Sequence, residues 1–422
     1  TTATAADGAL TSGVGMLTET LVDPSRPTPS SGDEPATDER TLETLVWYPA
    51  LVDETAAGVV ADATPDPSGG PYPLVVVSHG LGGDPEDGAA VVDGWVAAGM
   101  VVAAPRFPLS RSDAPGGPDG ADVVNQPGDV SFVISELLAA SADDSSPLAG
   151  LVDETSIGAA GHSNGAITTL GLTANTCCTD ERIDAAIVFA GSAAPFSGGE
   201  YDWEAAPPFL VVHGTDDQLV SYAEGVGVFN GLPGPKGLLT IEGGDHGSWF
   251  GAEATGHDEV ATVTTDFLLA HLTDDTDAHS RLEAGRSSPD ASFVYGPEPG
   301  TTVTVPSPAT DADRTATVDP STGLTDGQVV TVTWDGYLPG GTVSVIQCAA
   351  GGTEGASLCD LTQGRILQPN PTGAGSIELE IIVGPVGEGT CTAATDDCVV
   401  AVNDSGLSDM DASIRIPISL EG

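Results

Sequence analysis

Ser156-Ile157-Gly158-Ala159-Ala160-Gly161-His162-Ser163-Asn164-Gly165-Ala166 decides the reading of this chain. A short apolar stretch runs into G-H-S-N-G, and small and apolar residues at helical spacing follow (Ala166, Ile167, Leu170, Leu172). This is the pattern of a nucleophile elbow. A Ser sits on a sharp strand-to-helix turn, and flanking glycines let neighbouring backbone pass close to it. The turn lifts the hydroxyl out of the sheet, and the helix N-terminus behind it favours negative charge nearby.

Three further segments give the elbow its context. Upstream, Pro73 to Gly83 reads as a buried strand, Leu74-Val75-Val76-Val77, entering the glycine loop His79-Gly80-Leu81-Gly82-Gly83. Such a loop offers backbone N–H groups to an oxyanion. Downstream, Phe209-Leu210-Val211-Val212-His213-Gly214 is a second buried strand that ends before Asp216 and Asp217. Leu238-Leu239-Thr240-Ile241 is a third, and it leads through Gly243-Gly244-Asp245 to His246. The order is Ser163, then an Asp, then His246, each after a strand. Loops at the carboxyl edge of a parallel sheet are where such groups are held. One of Asp216 and Asp217 faces the His, since adjacent side chains diverge.

The other histidines fit structural roles. His79 and His213 sit at strand ends beside glycines, where a structural hydrogen bond is expected. His162 neighbours Ser163, but side chains adjacent at a sharp turn point apart. His257, His271 and His279 fall in or near a C-terminal helical pattern.

With these residues quoted, the segment from about Gly13 to about Gly285 resembles the α/β-hydrolase superfamily. Within it, the segment is most similar to the platelet-activating-factor acetylhydrolase-like, or dienelactone hydrolase, branch. Leu21 to Pro27 and Leu45-Val46-Trp47-Tyr48-Pro49-Ala50 resemble that branch's opening strands. His79 to Gly83 resembles its oxyanion loop, and Asn125 to Val130 the segment before the helix that precedes the elbow. The resemblance implies an α/β fold, a mostly parallel sheet with helices on both faces, and serine ester chemistry. Its spacing, with the acid three residues after the Gly of His213-Gly214, favours Asp217. Ser163 is then the nucleophile, His246 the general base, and Asp217 the group that orients the imidazole. The backbone N–H groups of Leu81 and Asn164 are the expected oxyanion donors. Trp249, three residues past His246, is the expected aromatic wall of the substrate pocket.

No cofactor is implied. There is no dinucleotide fingerprint, no P-loop and no zinc spacing. The substrate expected is a small or polymeric ester; short acyl esters, lipids and polyesters all remain open. The chain is expected to act as a monomer.

Residues 286–313 are rich in Gly, Pro, Ser, Thr and Asp with little periodicity, and read as a linker between a catalytic domain (1–285) and a second domain (314–422). From Arg314 onward, period-two runs separated by turn residues give about seven short strands, the pattern of an antiparallel sandwich. Val318 to Gln328, Ile346-Gln347-Cys348-Ala349, Cys359-Asp360 and Cys391…Cys398-Val399-Val400 resemble the neocarzinostatin family of Ig-like apoproteins. That family's cysteine spacings imply the disulfides Cys348–Cys359 and Cys391–Cys398. Its known ligand is an enediyne chromophore. On this chain the domain is read as a spacer or stabiliser, or as a binder of polymer or cell surface. A contrasting reading makes the whole chain a binding or carrier protein with a vestigial hydrolase; the complete Ser/Asp/His set in order argues against it.

Cys177 and Cys178 are adjacent in sequence. Consecutive Cα atoms lie about 3.8 Å apart, below the roughly 4.4 Å usual for a disulfide. A strained vicinal bridge and two buried thiols are both open, with the bridge favoured. Six cysteines, two pairs of them closely spaced, point to an oxidising compartment and a secreted protein. The start at Thr1 without Met fits a mature exported chain. No apolar run reaches the roughly 18 residues that span a bilayer.

The charge balance is extreme: 11 basic against 62 acidic residues, net −51, with Lys236 the single lysine. Such a surface disfavours nucleic acid and anionic membranes. With 40% hydrophobic residues the chain is nevertheless a folding one. Adaptation to salt and the ordinary acidity of a secreted protein both account for the balance. Under the first, surface carboxylates repel one another and salt relieves them. The Debye length falls from about 10 Å at 0.1 M to about 3 Å at 1 M, so the melting temperature should rise over that range. A neutral osmolyte run in parallel separates screening from solvent exclusion. A flat or falling curve would remove the physical basis for salt adaptation.

Overall fold

The computed structural model describes residues 10–32, 34–194, 198–296, 299–303, 314–337, 341–349, 359, 366–370, 373–386, 389–394, 398–403 and 414–421. The chain divides into two compact units. One comprises Thr1–Gly191, Phe196–His213 and Val228–Thr302. The other comprises Val303–Gly422 with Ser192–Pro195 and Gly214–Gly227.

The first unit is built on one large sheet. Its strands are β1 (Leu10–Asp23), β2 (Arg40–Asp53), β3 (Val59–Ala61), β4 (Thr64–Pro65), β5 (Tyr72–Ser78), β6 (Val101–Arg106), β7 (Val152–His162), β8 (Ala185–Phe189), β9 (Phe209–Gly214), β10 (Lys236–Ile241), β11 (Arg286–Ser287) and β12 (Ala291–Gly296). They run in the order β11-β12-β10-β9-β8-β7-β5-β6-β2-β1-β3, with β4 on β2. The centre is parallel: β5 pairs in parallel with β6 and β7, β7 with β8, and β8 with β9. The flanks β1, β2 and β12 pair antiparallel.

Helices cover both faces, which is why the central strands are near-continuous apolar runs. They are α1 (Ala89–Ala97), α2 (Gln126–Ala142), α3 (Asn164–Ala174), α5 (His257–Leu272) and α6 (Thr276–Glu283); a further helix, α4 (Tyr222–Gly231), follows β9 in the chain. Alternation along β5 sorts its side chains. Val75 joins a core with Trp95 of α1 and Phe267 of α5. Leu74 and Val76 join a second core with Val130 and Leu137 of α2 and Leu172 of α3.

The first part of the stretch expected as linker, 286–313, is instead sheet. Residues 286–296 form β11 and β12, and β12 runs antiparallel along β10 from Lys236↔Gly296 to Ile241↔Ala291. Phe293 and Ala291 are buried against the sheet core. Without that strand, β10 would present an open edge of unpaired backbone groups.

The second unit holds β13 (Thr315–Asp319), β14 (Val329–Asp335), β15 (Gly341–Cys348), β16 (Ile366–Asn370), β17 (Gly375–Glu380), β18 (Gly384–Val386), β19 (Gly389–Cys391), β20 (Val399–Asn403) and β21 (Ile414–Pro417). A three-stranded sheet, β13-β14-β17, and a four-stranded sheet, β16-β15-β20-β21, share a core of Val330, Val332, Trp334 and Leu379 from one and Val343, Val345, Val400 and Val402 from the other. The three-stranded sheet alternates strictly: in β14, Val330, Val332 and Trp334 are buried and their neighbours exposed. This is the small all-β domain expected from period two. The disulfides Cys348–Cys359, Cys391–Cys398 and the vicinal Cys177–Cys178 are formed.

In the first unit a buried charge cluster ties β2 to α2. Arg40, fully buried, donates through Nε and Nη2 to Asp129 at 2.7 Å each, and through Nη2 to Asp122 at 2.7 Å. Arg26 adds a contact to Asp129 at 2.8 Å. Burial alone would favour the neutral guanidine, but the two carboxylates hold Arg40 firmly charged. Removing one partner of such a group leaves an uncompensated buried charge. Asp129→Asn should therefore cost about 3–5 kcal/mol of folding stability. Denaturant unfolding gives the number, and a loss below about 1 kcal/mol, the size of a surface pair, would show that the cluster does not anchor the fold.

Candidate active site

β7 ends at His162 and α3 begins at Asn164, so Ser163 alone makes the turn. Its backbone lies at φ 54°, ψ −115°, a conformation rare for a residue with a side chain. Its N–H donates to the Phe189 carbonyl at 2.9 Å, and its carbonyl accepts from Ala166 and Ile167. The glycines of the motif are sterically required. A Cβ on Gly165 would overlap the Ser78 carbonyl of β5, and one on Gly161 would overlap the Gly165 carbonyl.

His246 lies in the loop between β10 and α5, half-buried. Its Nε2 is 2.8 Å from Ser163 Oγ. The geometry suits the hydroxyl donating to an unprotonated Nε2, the arrangement that activates a serine.

The loop after β5 lies against the same serine. A Cβ on Gly80 would come within 3.3 Å of Ser163 Cβ. His79, buried, shapes this loop: its Nδ1–H donates to the Gly80 carbonyl at 2.8 Å, and its Nε2 accepts from the Phe107 N–H at 3.1 Å. Burial pushes its pKa below the ordinary value, so the neutral ring that both bonds require is the favoured one. Gly82, at φ 71°, donates its N–H to Ser110 O at 2.7 Å. Ser110 Oγ accepts from Gln126 Nε2 at 2.8 Å, and Gln126 Oε1 accepts from Thr168 Oγ1 of α3. Ser110, Gln126 and Thr168 are fully buried. This polar relay joins the elbow helix to the glycine loop, and a buried network that is fully paired rigidifies what it connects. Among the described residues, neither the Leu81 N–H nor the Asn164 N–H has an internal acceptor.

Of the two candidate acids, Asp217 is buried and Asp216 exposed. Asp217 Oδ1 accepts from the N–H groups of Leu219 (2.8 Å) and Val220 (2.9 Å), which fixes the carboxylate in its loop.

The pocket wall is not the residue expected. Trp249 is 0% exposed and packs in the sheet core with Val260, Val263 and Phe267. In the short 3₁₀ turn at Ser248–Phe250, Trp249 is buried in that core, while Phe250 packs against it and is only half-buried. Phe250, with His79, His162, Val91, Trp95 and Phe189, lines a cavity of about 40 Å³ that reaches His162, the residue before Ser163, but is lined by neither Ser163 nor His246. His162 was also read too simply. Its ring returns to the site, 4.8 Å from the His246 ring and 5.2 Å from Phe250. The apolar, aromatic character of 249–250 was legible; which of the two lines the cavity is decided by the folded chain.

Among the described residues no group of three or more His, Cys, Asp or Glu is placed to hold a metal ion, and no helix is long and apolar enough to cross a membrane.

Residues 316–419 match the neocarzinostatin family. A solved structure of a ferulic acid esterase from Streptomyces cinnamoneus is similar to the chain with a TM-score of 0.47 and 24% identity, over 67% of this chain and 94% of that one. No curated protein matches.

The burial of Trp249 is testable against Phe250. Trp249→Ala should cost about 3–5 kcal/mol, the range for emptying a core aromatic site. Phe250→Ala, at a half-open position, should cost clearly less. Urea unfolding of the two variants ranks them, and the opposite ranking would place Trp249 outside the core.

Proposed function

We propose that the chain is a secreted serine carboxylesterase that cleaves esters through an acyl-enzyme, with Ser163 as nucleophile, His246 as general base and Asp217 as the orienting acid. The observation that carries this reading is the 2.8 Å contact of His246 Nε2 with Ser163 Oγ at a strained elbow. His246 removes the hydroxyl proton as Oγ attacks the ester carbonyl, then returns it to the leaving alcohol; water repeats the cycle on the acyl-enzyme. The N–H groups of Leu81 and Asn164 supply the oxyanion donors: among the described residues neither has an internal acceptor, Asn164 follows Ser163 in the chain, and Leu81 follows Gly80, which lies against Ser163. Asp217 is preferred to Asp216 because it is buried and its carboxylate is held by two backbone N–H groups. The platelet-activating-factor acetylhydrolase-like branch remains the proposed placement of the catalytic domain.

Secretion is supported by three disulfides and by the match of 316–419 to the neocarzinostatin family. The domain division is proposed as a catalytic part that takes in β12, to at least Gly296, and an accessory β domain from 314.

Ser163→Ala and His246→Ala should each lower turnover of p-nitrophenyl acetate by about 10⁴-fold or more, and the double variant should be no worse than either, because the groups act as a unit. Asp217→Asn should lose about 10⁴-fold while Asp216→Asn stays near the parent. Turnover surviving in Ser163→Ala would put the nucleophile elsewhere, and a folded parent that a fluorophosphonate does not label would remove the serine-esterase reading. Deleting the chain after Ser307 should leave an active esterase. A truncated protein that is folded yet inactive on soluble esters would show that the Gly214–Gly227 segment, which carries Asp217, needs the β domain.

A further inference from the structure

We propose that His162 is a positioning residue that holds the base loop and the glycine loop in register with the nucleophile. The proposal rests on the reading of Ser163 and His246 as nucleophile and base.

His162 is the last residue of β7, covalently joined to Ser163. Its Nε2 lies 2.6 Å from the backbone carbonyl of His246, so the ring donates Nε2–H to the loop that carries the base. The seat is tight on every side. A Cβ on Gly247 would fall 3.2 Å from His162 Nε2, and a Cβ on Gly80 would fall 3.1 Å from His162 Nδ1. Phe250 meets the ring edge-on at 5.2 Å. One imidazole thus touches the base loop, the glycine loop and the aromatic wall, while its backbone carries the nucleophile.

This placement has a mechanical consequence. His246 comes from a loop after β10, and β10 is separated from β7 in the sheet by β8 and β9. A hydrogen bond from the end of β7 to the His246 carbonyl ties the base directly to the strand that ends at Ser163. Reacting groups must keep near-attack geometry, and a displacement of about 1 Å can cost about 10²-fold in rate. A ring that only filled space would be replaceable by another ring; a donor to the His246 carbonyl would not.

The test compares His162→Phe, which keeps a ring and loses the donor, with His162→Gln, which keeps an N–H at similar reach. In the full chain, His162→Phe should lower kcat on p-nitrophenyl acetate by about 10- to 100-fold with KM little changed. Fluorophosphonate labelling of Ser163 should slow by the same factor. His162→Gln should recover most of both. Where the Phe variant fails to fold, His162→Met against His162→Gln makes the same comparison. Full activity in the Phe or Met variant overturns the proposal. So does a Gln variant as slow as the donor-less one, with melting temperatures lowered in parallel, because that is the signature of packing alone. Ser163→Ala separates the two levels. Turnover surviving there puts the nucleophile elsewhere and removes this proposal with it. A dead Ser163→Ala beside a fully active His162→Phe removes only the positioning role.

Discussion

At the elbow, the Gly165 backbone lies so close to the Ser78 carbonyl of β5, and Gly161 so close to the Gly165 carbonyl, that neither position has room for a Cβ. That approach lets α3 start one residue after β7 ends, and it forces Ser163 into φ 54°. A non-glycine residue in such a conformation costs of order 1–3 kcal/mol. The surroundings over-determine it: the Ser163 N–H is bound to Phe189 O in β8, and the strands on either side of β7 are buried on both faces. The strain is therefore held by the stiffest part of the sheet. The consequence is a hydroxyl whose position varies little, against which the other groups can be set.

Setting them is the work of polar contacts between loops. His79 clamps Gly80 to Phe107, and the relay Thr168–Gln126–Ser110 reaches Gly82. Each of these side chains is buried and paired, so losing one partner would leave another unsatisfied in a medium where that is costly. The Arg40 cluster lies one step further out. It fixes the start of α2, and Gln126 is the first residue of that helix. The geometry at Ser163 thus depends on a chain of contacts that ends at a fully buried ion pair.

How much of this was legible in the sequence follows from how local each signal is. The elbow, the glycine loop and the strand before His246 are written in contiguous residues, because a turn that needs glycine needs it at fixed offsets. The two-sided burial of β5 and β9 was legible as near-continuous apolar runs. His162 was quoted within the motif, yet its contact with His246 joins residues far apart in sequence and exists only once both loops are folded. Trp249 and Phe250 were distinguishable only by how deeply the folded chain buries each of them. Residues 286–296 looked like linker because the short apolar run Phe293-Val294-Tyr295 is surrounded by Gly, Pro, Ser and Asp. Its pairing with β10 joins segments far apart in sequence.

The charge pattern follows from the same scarcity of cations. The structure uses its basic residues to join segments. Arg26 and Arg40 hold α2, Arg106 bridges Glu43, Asp84 and Glu86, and Arg281 and Arg286 both meet Asp266. The single lysine is internal too: Lys236 Nζ donates to the carbonyls of Phe229 and Leu232 at the end of α4, where a helix presents its negative pole. With 11 basic residues against 62 acidic ones, the chain has too few cations to pair most of its carboxylates. The surface is then governed by solvent and dissolved ions, while the interior keeps paired charges. Salt screens exposed charges far more than buried ones. Raising ionic strength therefore relieves the surface repulsion and leaves the Arg40 cluster, on which the site's outer support depends, almost untouched.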